Sequence, residues 1–407
     1  MAKPRIKNMK LLGDDQSVPV TKDEHTCIRL FEPQYRIEEC LAEIRQCLES
    51  GWTGFGPLIT SFEKQWARYS ELPNSHFVSS GTAALHLALR VLKEKNAWVD
   101  GDEIITTPFT FVSTNHVILY ERLNPVFADI DEYLCLNPEE VVRKITARTR
   151  AVMFVGIGGN AGQLPAIAQI CAERGLKLIL DAAHMAGTRL EGRHVGQQAD
   201  VATFSFHSVK NLPTADAGMV CFKESRLDKA ARRWSWMGID KDTFARWNEN
   251  SSAQWNYGVV HEGFKYHGNS IMASLASVGL RYLDQDNSYR RQIAAWYDAL
   301  LANHENIRLI PLAPDCESSR HLYQVRVPER DRVVGDLNQL GIFPGVHYAE
   351  NTRYSMYAQA KGTCPQAESA SNDVISLPIH MHLTRDDVGV VAERLIRAVN
   401  FNCSAGV

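Results

Sequence analysis

Lys210 is the residue in this sequence best placed to do chemistry. It follows a short β-rich run, Val201 to Phe206, and precedes a second strand-like run, Met219 to Phe222. A lysine on a turn between buried strands loses hydration, and burial lowers an amine's pKa until it can attack a carbonyl. Ser205, on the strand leading to Lys210, can add a hydroxyl to a phosphate.

Three further stretches carry complementary groups. Asp181 ends an apolar strand and precedes Ala182, Ala183 and His184. A carboxylate there can pair with a ring nitrogen and keep it protonated. It can equally cap the next turn or bind a ribose. His184 can hydrogen-bond a ring hydroxyl or be an ordinary buried histidine. Phe111 follows Thr107-Pro108-Phe109-Thr110 and can cover a planar ring, or belong to the core. Ser79-Ser80-Gly81-Thr82 sits between a strand signal and a helix start, where free backbone N–H groups can hold a phosphate. A simple helix cap is the alternative. A lysine for a Schiff base, an acid for a pyridinium, an aromatic cover and a phosphate cradle together match the needs of pyridoxal 5′-phosphate.

These groups need a scaffold, and the chain alternates strand and helix signals around them. Strands are predicted at His76–Ser80, Glu103–Thr106, Pro125–Asp129, Ala151–Val155 and Leu176–Leu180. Between them come helices Ala83–Leu92, Val112–Tyr120, Pro138–Ile145 and Leu164–Glu173. Apolar strands at this rhythm imply an α/β fold with a mostly parallel sheet covered on both faces. Ligands in such sheets lie off the carboxyl ends of the strands. Four loops should therefore converge with Lys210 on one rim: Ser79–Gly81, Thr107–Phe111, Gly156–Asn160 and Asp181–His184.

Upstream, Ile37, Leu41, Ile44 and Leu48 recur at helical spacing and stop at Ser50-Gly51, and a second helix is expected from Ile59 to Tyr69. Downstream, residues 225–268 hold helical patches and aromatic loops around Trp234, Trp236, Trp247 and Trp255. A long helix from Ser270 to Leu301 then leads into strand His321–Val327, helix Arg330–Leu340, strand Pro344–His347 and helix Asp386–Val399. The expected organisation is an N-terminal arm over 1–30, a large cofactor-binding α/β domain over 31–270, and a linking helix with a C-terminal α+β domain over 271–407.

Composition sets the class. The chain has 407 residues, 45% hydrophobic and 22% charged, with a net charge of −3. That is a globular protein with no polyanion-binding surface, so nucleic-acid binding is not expected. Nine cysteines occur with no Cys-x-x-Cys pair, which fits reduced thiols and gives no metal site. The absence of a signal peptide and of a long apolar run points to the cytoplasm, with no membrane partner.

With these residues in view, the chain resembles the DegT/DnrJ/EryC1/StrS family of fold-type-I, pyridoxal-phosphate-dependent sugar aminotransferases. The matching stretches are Gly54–Glu63, Ser79–Leu89, Pro108–Asn115, Asp181–His184, Phe204–Lys210, Gly263–His267, Val346–Tyr348 and Ser376–His380. The resemblance implies that Lys210 carries the cofactor and shuttles protons. It puts Asp181 on the pyridine nitrogen and His184, where many relatives have Gln, beside the ring hydroxyl. Phe111 takes the stacking position, and Gly81, Thr82 and Ser205 the phosphate. It further implies a homodimer with shared active sites, in which an Asn of the partner subunit touches each phosphate. Lys265 stands at that position here, and Gly158-Gly159-Asn160 replaces a His-containing loop. The reaction implied moves an amino group from an L-amino acid, by analogy glutamate, to a nucleotide-linked 3- or 4-keto-(deoxy)hexose.

Rival readings remain at the level of sequence. A keto-cyclitol is another acceptor for the same chemistry. A sugar dehydratase of the same family carries His in place of Lys210. An NAD-dependent oxidoreductase is suggested by strand Ala151–Val155 followed by G-x-G-x-x-A over Gly156–Ala161. That reading leaves Lys210 and Ser79–Thr82 without a role. A non-catalytic cofactor-binding regulator is the last alternative.

Overall fold

The structure, a computed structural model, describes residues 27–240 and 257–400. Most of the expected N-terminal arm, together with Trp247 and Trp255, lies outside the described residues. Seven strands form the main sheet: β1 (Asn74–Val78), β2 (Glu103–Thr106), β3 (Asn124–Phe127), β4 (Thr149–Val155), β5 (Lys177–Asp181), β6 (Val201–Ser205) and β7 (Gly218–Phe222). Their order is β1-β7-β6-β5-β4-β2-β3. The run from β6 to β3 is parallel, and β7 alone is reversed, antiparallel to β6 and to β1. The mostly parallel α/β sheet expected from the sequence is therefore present.

Alternation along the strands explains why both faces are covered. Val152 and Phe154 enter one core while Met153 enters the other, and Leu178 and Leu180 flank Ile179 in the same way. The first core holds Phe62, Trp66, Phe204 and Phe206, and the second Leu85, Leu89, Val117 and Val220.

The helices that matter for the site are α1 (Ile37–Ser50), α2 (Gly81–Lys95), α3 (Ser113–Tyr120) and α4 (Ser270–Leu301). α2 begins at Gly81 rather than Ala83, because the Ser80 side chain accepts the Ala83 N–H and caps the first turn. α4 has the predicted bounds and starts on the Asn269 side chain, which accepts the Met272 N–H. α1 ends at Gly51, whose φ of +73° closes the helix as expected. Its apolar spacing marks the helix but not the buried face. Ile37, Leu41 and Leu48 are 63%, 53% and 58% exposed, while Cys40 and Cys47 are buried.

Beyond α4, strands Arg308–Leu309, Tyr323–Arg326 and Val374–Leu377 make a small antiparallel sheet. Its core joins Ile28, Tyr297, Tyr323, Val325, Leu377 and Leu395. The strand predicted over Pro344–His347 is replaced by Ile342–Phe343, which pairs in parallel with Ile28–Arg29. Pro344 has no N–H to continue this ladder, which stops before it, and Gly345 instead makes an isolated antiparallel bridge with Ser376. Among the described residues no helix is long and apolar enough to cross a membrane.

Candidate active site

Strand alternation first positions Ser205. Phe204 and Phe206 both contact the Trp66 ring, at centroid distances of 4.9 and 5.2 Å. Ser205 between them is turned to the opposite face, towards Gly81. A Cβ on Gly81 would lie 2.9 Å from Ser205 Cβ, and one on Gly218 would lie 2.5 Å from the Ser80 carbonyl oxygen. Two glycines thus let the start of α2 press against the ends of β6 and β7. Ser80 takes up the Ala83 and Ala84 N–H groups, leaving the Gly81 and Thr82 amides at the helix tip.

Lys210 sits on a loop stitched back to its own strand. Its N–H reaches the His207 carbonyl at 2.9 Å, and the Thr214 hydroxyl donates to the Phe206 carbonyl at 2.6 Å. Asn211 then ties the loop outward, donating to Asn287 Oδ1 and to the Ser319 carbonyl, each at 2.7 Å.

These elements enclose a cavity of about 470 Å³. It is lined by Gly81, Thr82, Phe111, Asp181, His184, Ser205 and Lys210, so seven of the eight residues singled out in the sequence share it. The eighth, Lys265, does not line it. Its Nζ lies 3.5 Å from the centroid of the Trp236 ring, a cation–π contact. The Gly156–Asn160 loop also stands behind the cavity rather than on it. Gly159, at φ +91°, packs so closely on Ser318 and Ser319 that a Cβ would lie 2.4 Å from Ser319 Oγ. The dinucleotide reading fails here: the loop forms a 3-10 turn over Ile157–Gly159, the next helix starts only at Leu164, and the segment 318–320 closes it off.

The charges are few and mutually dependent. Burial lowers the Lys210 ammonium to about 8, against an upward pull from Asp181. By surface area Lys210 is only half-buried, since its side chain opens on the cavity. Burial raises the Asp181 carboxyl, opposed by the Thr114 hydroxyl donating to Oδ2 at 2.8 Å, the Ala183 N–H at 3.1 Å and the charge of Lys210. Burial and Lys210 hold His184 well below its ordinary range, and likewise His347, lowered to about 4.

The sequence did not single out several lining residues. Phe31 stacks on His321 at 5.3 Å and 9°, and His321, His347 and Tyr348 enter from beyond α4. The Val346–Tyr348 motif was the available signal for the last two. Thr114 lay inside another noted motif, with no pattern to show that it faces Asp181. Phe111 keeps one face free: it is 55% exposed, and its ring centroid is 6.2 Å from that of Tyr348.

Residues 34–396 match the profile of the DegT/DnrJ/EryC1/StrS aminotransferase family. The chain is similar to the dTDP-4-dehydro-2,3,6-trideoxy-D-glucose 4-aminotransferase of Saccharopolyspora spinosa, with 34% identity covering 93% of this chain and 98% of the relative. It also resembles the crystal structure of the aminotransferase TlmJ from Streptoalloteichus hindustanus, at 31% identity and a TM-score of 0.84, covering 91% and 98% of the two chains. The PLP-form of Spr1654 from Streptococcus pneumoniae is 27% identical with a TM-score of 0.83, again over 91% and 98%.

Proposed function

This chain belongs to the DegT/DnrJ/EryC1/StrS aminotransferase family, and on that premise we propose that it transfers an amino group from L-glutamate to a nucleotide-linked 3- or 4-keto-(deoxy)hexose. It is a pyridoxal-phosphate-dependent transaminase. The observation that carries the residue assignment is that Lys210 and Asp181 line one cavity and are electrostatically coupled, with the α2 tip and Ser205 lining it too.

The residues fit the cofactor. Asp181 is a buried carboxylate already held by Thr114 and Ala183, and a protonated ring nitrogen would relieve its desolvation. The Gly81 and Thr82 amides with the Ser205 hydroxyl would hold the phosphate, and Phe111 would cover the ring. When bound, pyridoxal phosphate supplies an aldehyde to carry the amino group and a ring that takes up an electron pair. Lys210 accepts the proton from the donor's α-carbon and returns it on the other side of the transfer, which its lowered pKa of about 8 permits near neutral pH. Asp181 would hold the ring proton, and His184, His321 and His347, all lowered by burial, add no competing charge.

The working unit is read as a homodimer. The outward apolar row of α1 supports it, as does the place of Lys265 outside its own cavity, from which it would serve the partner's phosphate. The cytoplasm is the expected compartment, supported by eight free cysteines among the described residues. The domain boundary is taken near residue 270.

The test uses protein loaded with cofactor. It should be yellow, be fixed by borohydride at Lys210, bleach with glutamate, and then regain colour with one member of a panel of nucleotide-linked keto-hexoses while an amino sugar forms. Lys210→Ala should fold and do none of this. Yellow protein that no amino donor bleaches would sink the proposal.

A further inference from the structure

His321 reaches the cavity from the C-terminal segment, and two backbone carbonyls fix where its proton lies. Asn287 donates Nδ2 to the Ala186 carbonyl at 2.9 Å, so its Oδ1 is the acceptor for Asn211 Nδ2 at 2.7 Å. Asn211 Nδ2 also donates to the Ser319 carbonyl at 2.7 Å, which leaves Asn211 Oδ1 to face His321 Nδ1 at 2.9 Å. An amide oxygen can only accept, so Nδ1 carries a hydrogen. Burial keeps the ring neutral, and so do the positive charges near it, among them Lys210 and Arg290. Nε2 therefore bears a bare lone pair. Among the described residues it has no hydrogen-bond partner, and it opens on the cavity that the ring lines. The pose is held from several sides. Phe31 stacks on the ring at 5.3 Å and 9°, and the His184 ring lies 4.4 Å away. Ser319, two residues earlier, donates its N–H to Thr188 Oγ1 at 3.1 Å and its hydroxyl to the His184 carbonyl at 2.6 Å.

A rigid, uncharged acceptor nitrogen has few uses in such a place. It gives an anion nothing to bind, and it is too weak a base to take a proton near neutral pH. What it can do is accept a hydrogen bond from a neutral hydroxyl. The carbon that receives the amino group must come within reach of Lys210, and His321 lies close enough to feel the charge of that lysine. The hydroxyl best able to meet both conditions is on the neighbouring carbon. We propose that His321 Nε2 accepts a hydrogen bond from the sugar hydroxyl next to the keto group, so that the amino acceptor is a hexose that keeps this hydroxyl. This rests on the amino-transfer reading above and narrows its substrate class. Asn211 and Asn287 are positioning residues, since they hold the imidazole in the one tautomer that can read a hydroxyl.

The experiment takes cofactor-loaded protein and the nucleotide-linked keto-hexose that restores its colour. That sugar is compared with its analogue carrying hydrogen in place of the hydroxyl beside the keto group. The parent should use the analogue at least about tenfold less well in kcat/KM, because a buried acceptor is then left unpaired. His321→Phe keeps the aromatic stack but has no acceptor. It should stay yellow and use the hydroxylated sugar no better than the deoxy analogue. Binding of both sugars to borohydride-fixed parent protein, where no chemistry follows, should show the parent's preference again. A crystal structure of that complex should place the hydroxyl oxygen within about 3.2 Å of His321 Nε2. A parent that handles both sugars equally overturns the inference and leaves the amino-transfer reading intact. So does a His321→Phe variant that keeps the full preference or, if that variant does not fold, a complex whose hydroxyl is turned away from Nε2. A loaded parent that no amino donor bleaches sinks the amino-transfer reading and the inference with it.

Discussion

Lys210 and Asp181 are each destabilised by burial and each partly restored by the other, which places two reactive groups in one cavity at a cost shared between them. Thr114 decides how much of that cost falls on Asp181. Its hydroxyl stabilises the charged carboxylate, so removing it raises the Asp181 pKa. Hydrogen bonds to charged groups contribute about 1.5–3 kcal/mol, and one pKa unit corresponds to about 1.4 kcal/mol. The Ala183 N–H remains, so the low end applies. Thr114→Val should therefore move the acid limb of the pH–rate profile up by about one unit, because a carboxylate needed in its charged form is then lost at higher pH. A limb that stays in place would remove Asp181 protonation as its origin.

At the scale of elements, the phosphate-holding tip of α2 depends on two missing side chains. Gly81 faces Ser205 and Gly218 faces Ser80, so helix and sheet approach more closely than Cβ atoms would allow. Gly81→Ala must push α2 away from β6. It should cost about 1–3 kcal/mol of stability, as other overpacked sites do. Cofactor affinity should fall at least about tenfold, since the displaced amides no longer converge. Denaturant unfolding of cofactor-free protein and absorbance titration read these separately. Unchanged cofactor affinity would move the phosphate site elsewhere. Asn351 makes a second junction of this kind. Its side chain accepts from Asn115 at 2.7 Å and donates to the Thr110 carbonyl at 2.8 Å, linking the segment beyond α4 to the loop that carries Phe111.

For the whole molecule, the informative surface is α1. Its row Ile37, Leu41 and Leu48 lies outward although α1 packs on α4 along its other side, through Glu39 and Tyr282 at 2.5 Å. Exposed apolar rows of this length are rarely left uncovered in a soluble chain. Leu41→Glu with Leu48→Glu should shift a dimer to monomer in analytical ultracentrifugation, with the far-ultraviolet dichroism unchanged. If both forms sediment as the same dimer, α1 is not at the interface.

The sequence by itself determined what depends on local order. Alternating apolar strands and helices imposed the parallel sheet, and the strand ends carrying Ser205 and Asp181 followed, because a strand's carboxyl end is a property of its own residues. Lys210, His184 and Phe111 were legible for the same reason. Only the tertiary structure decided what depends on which segment comes to lie against which. It turned the apolar row of α1 outward, brought His321 and Tyr348 into a cavity built some hundred residues earlier, and set the Gly156–Asn160 loop behind His184. No spacing rule places the Gly158 N–H on His184 Nδ1; that amide is set by packing across the fold.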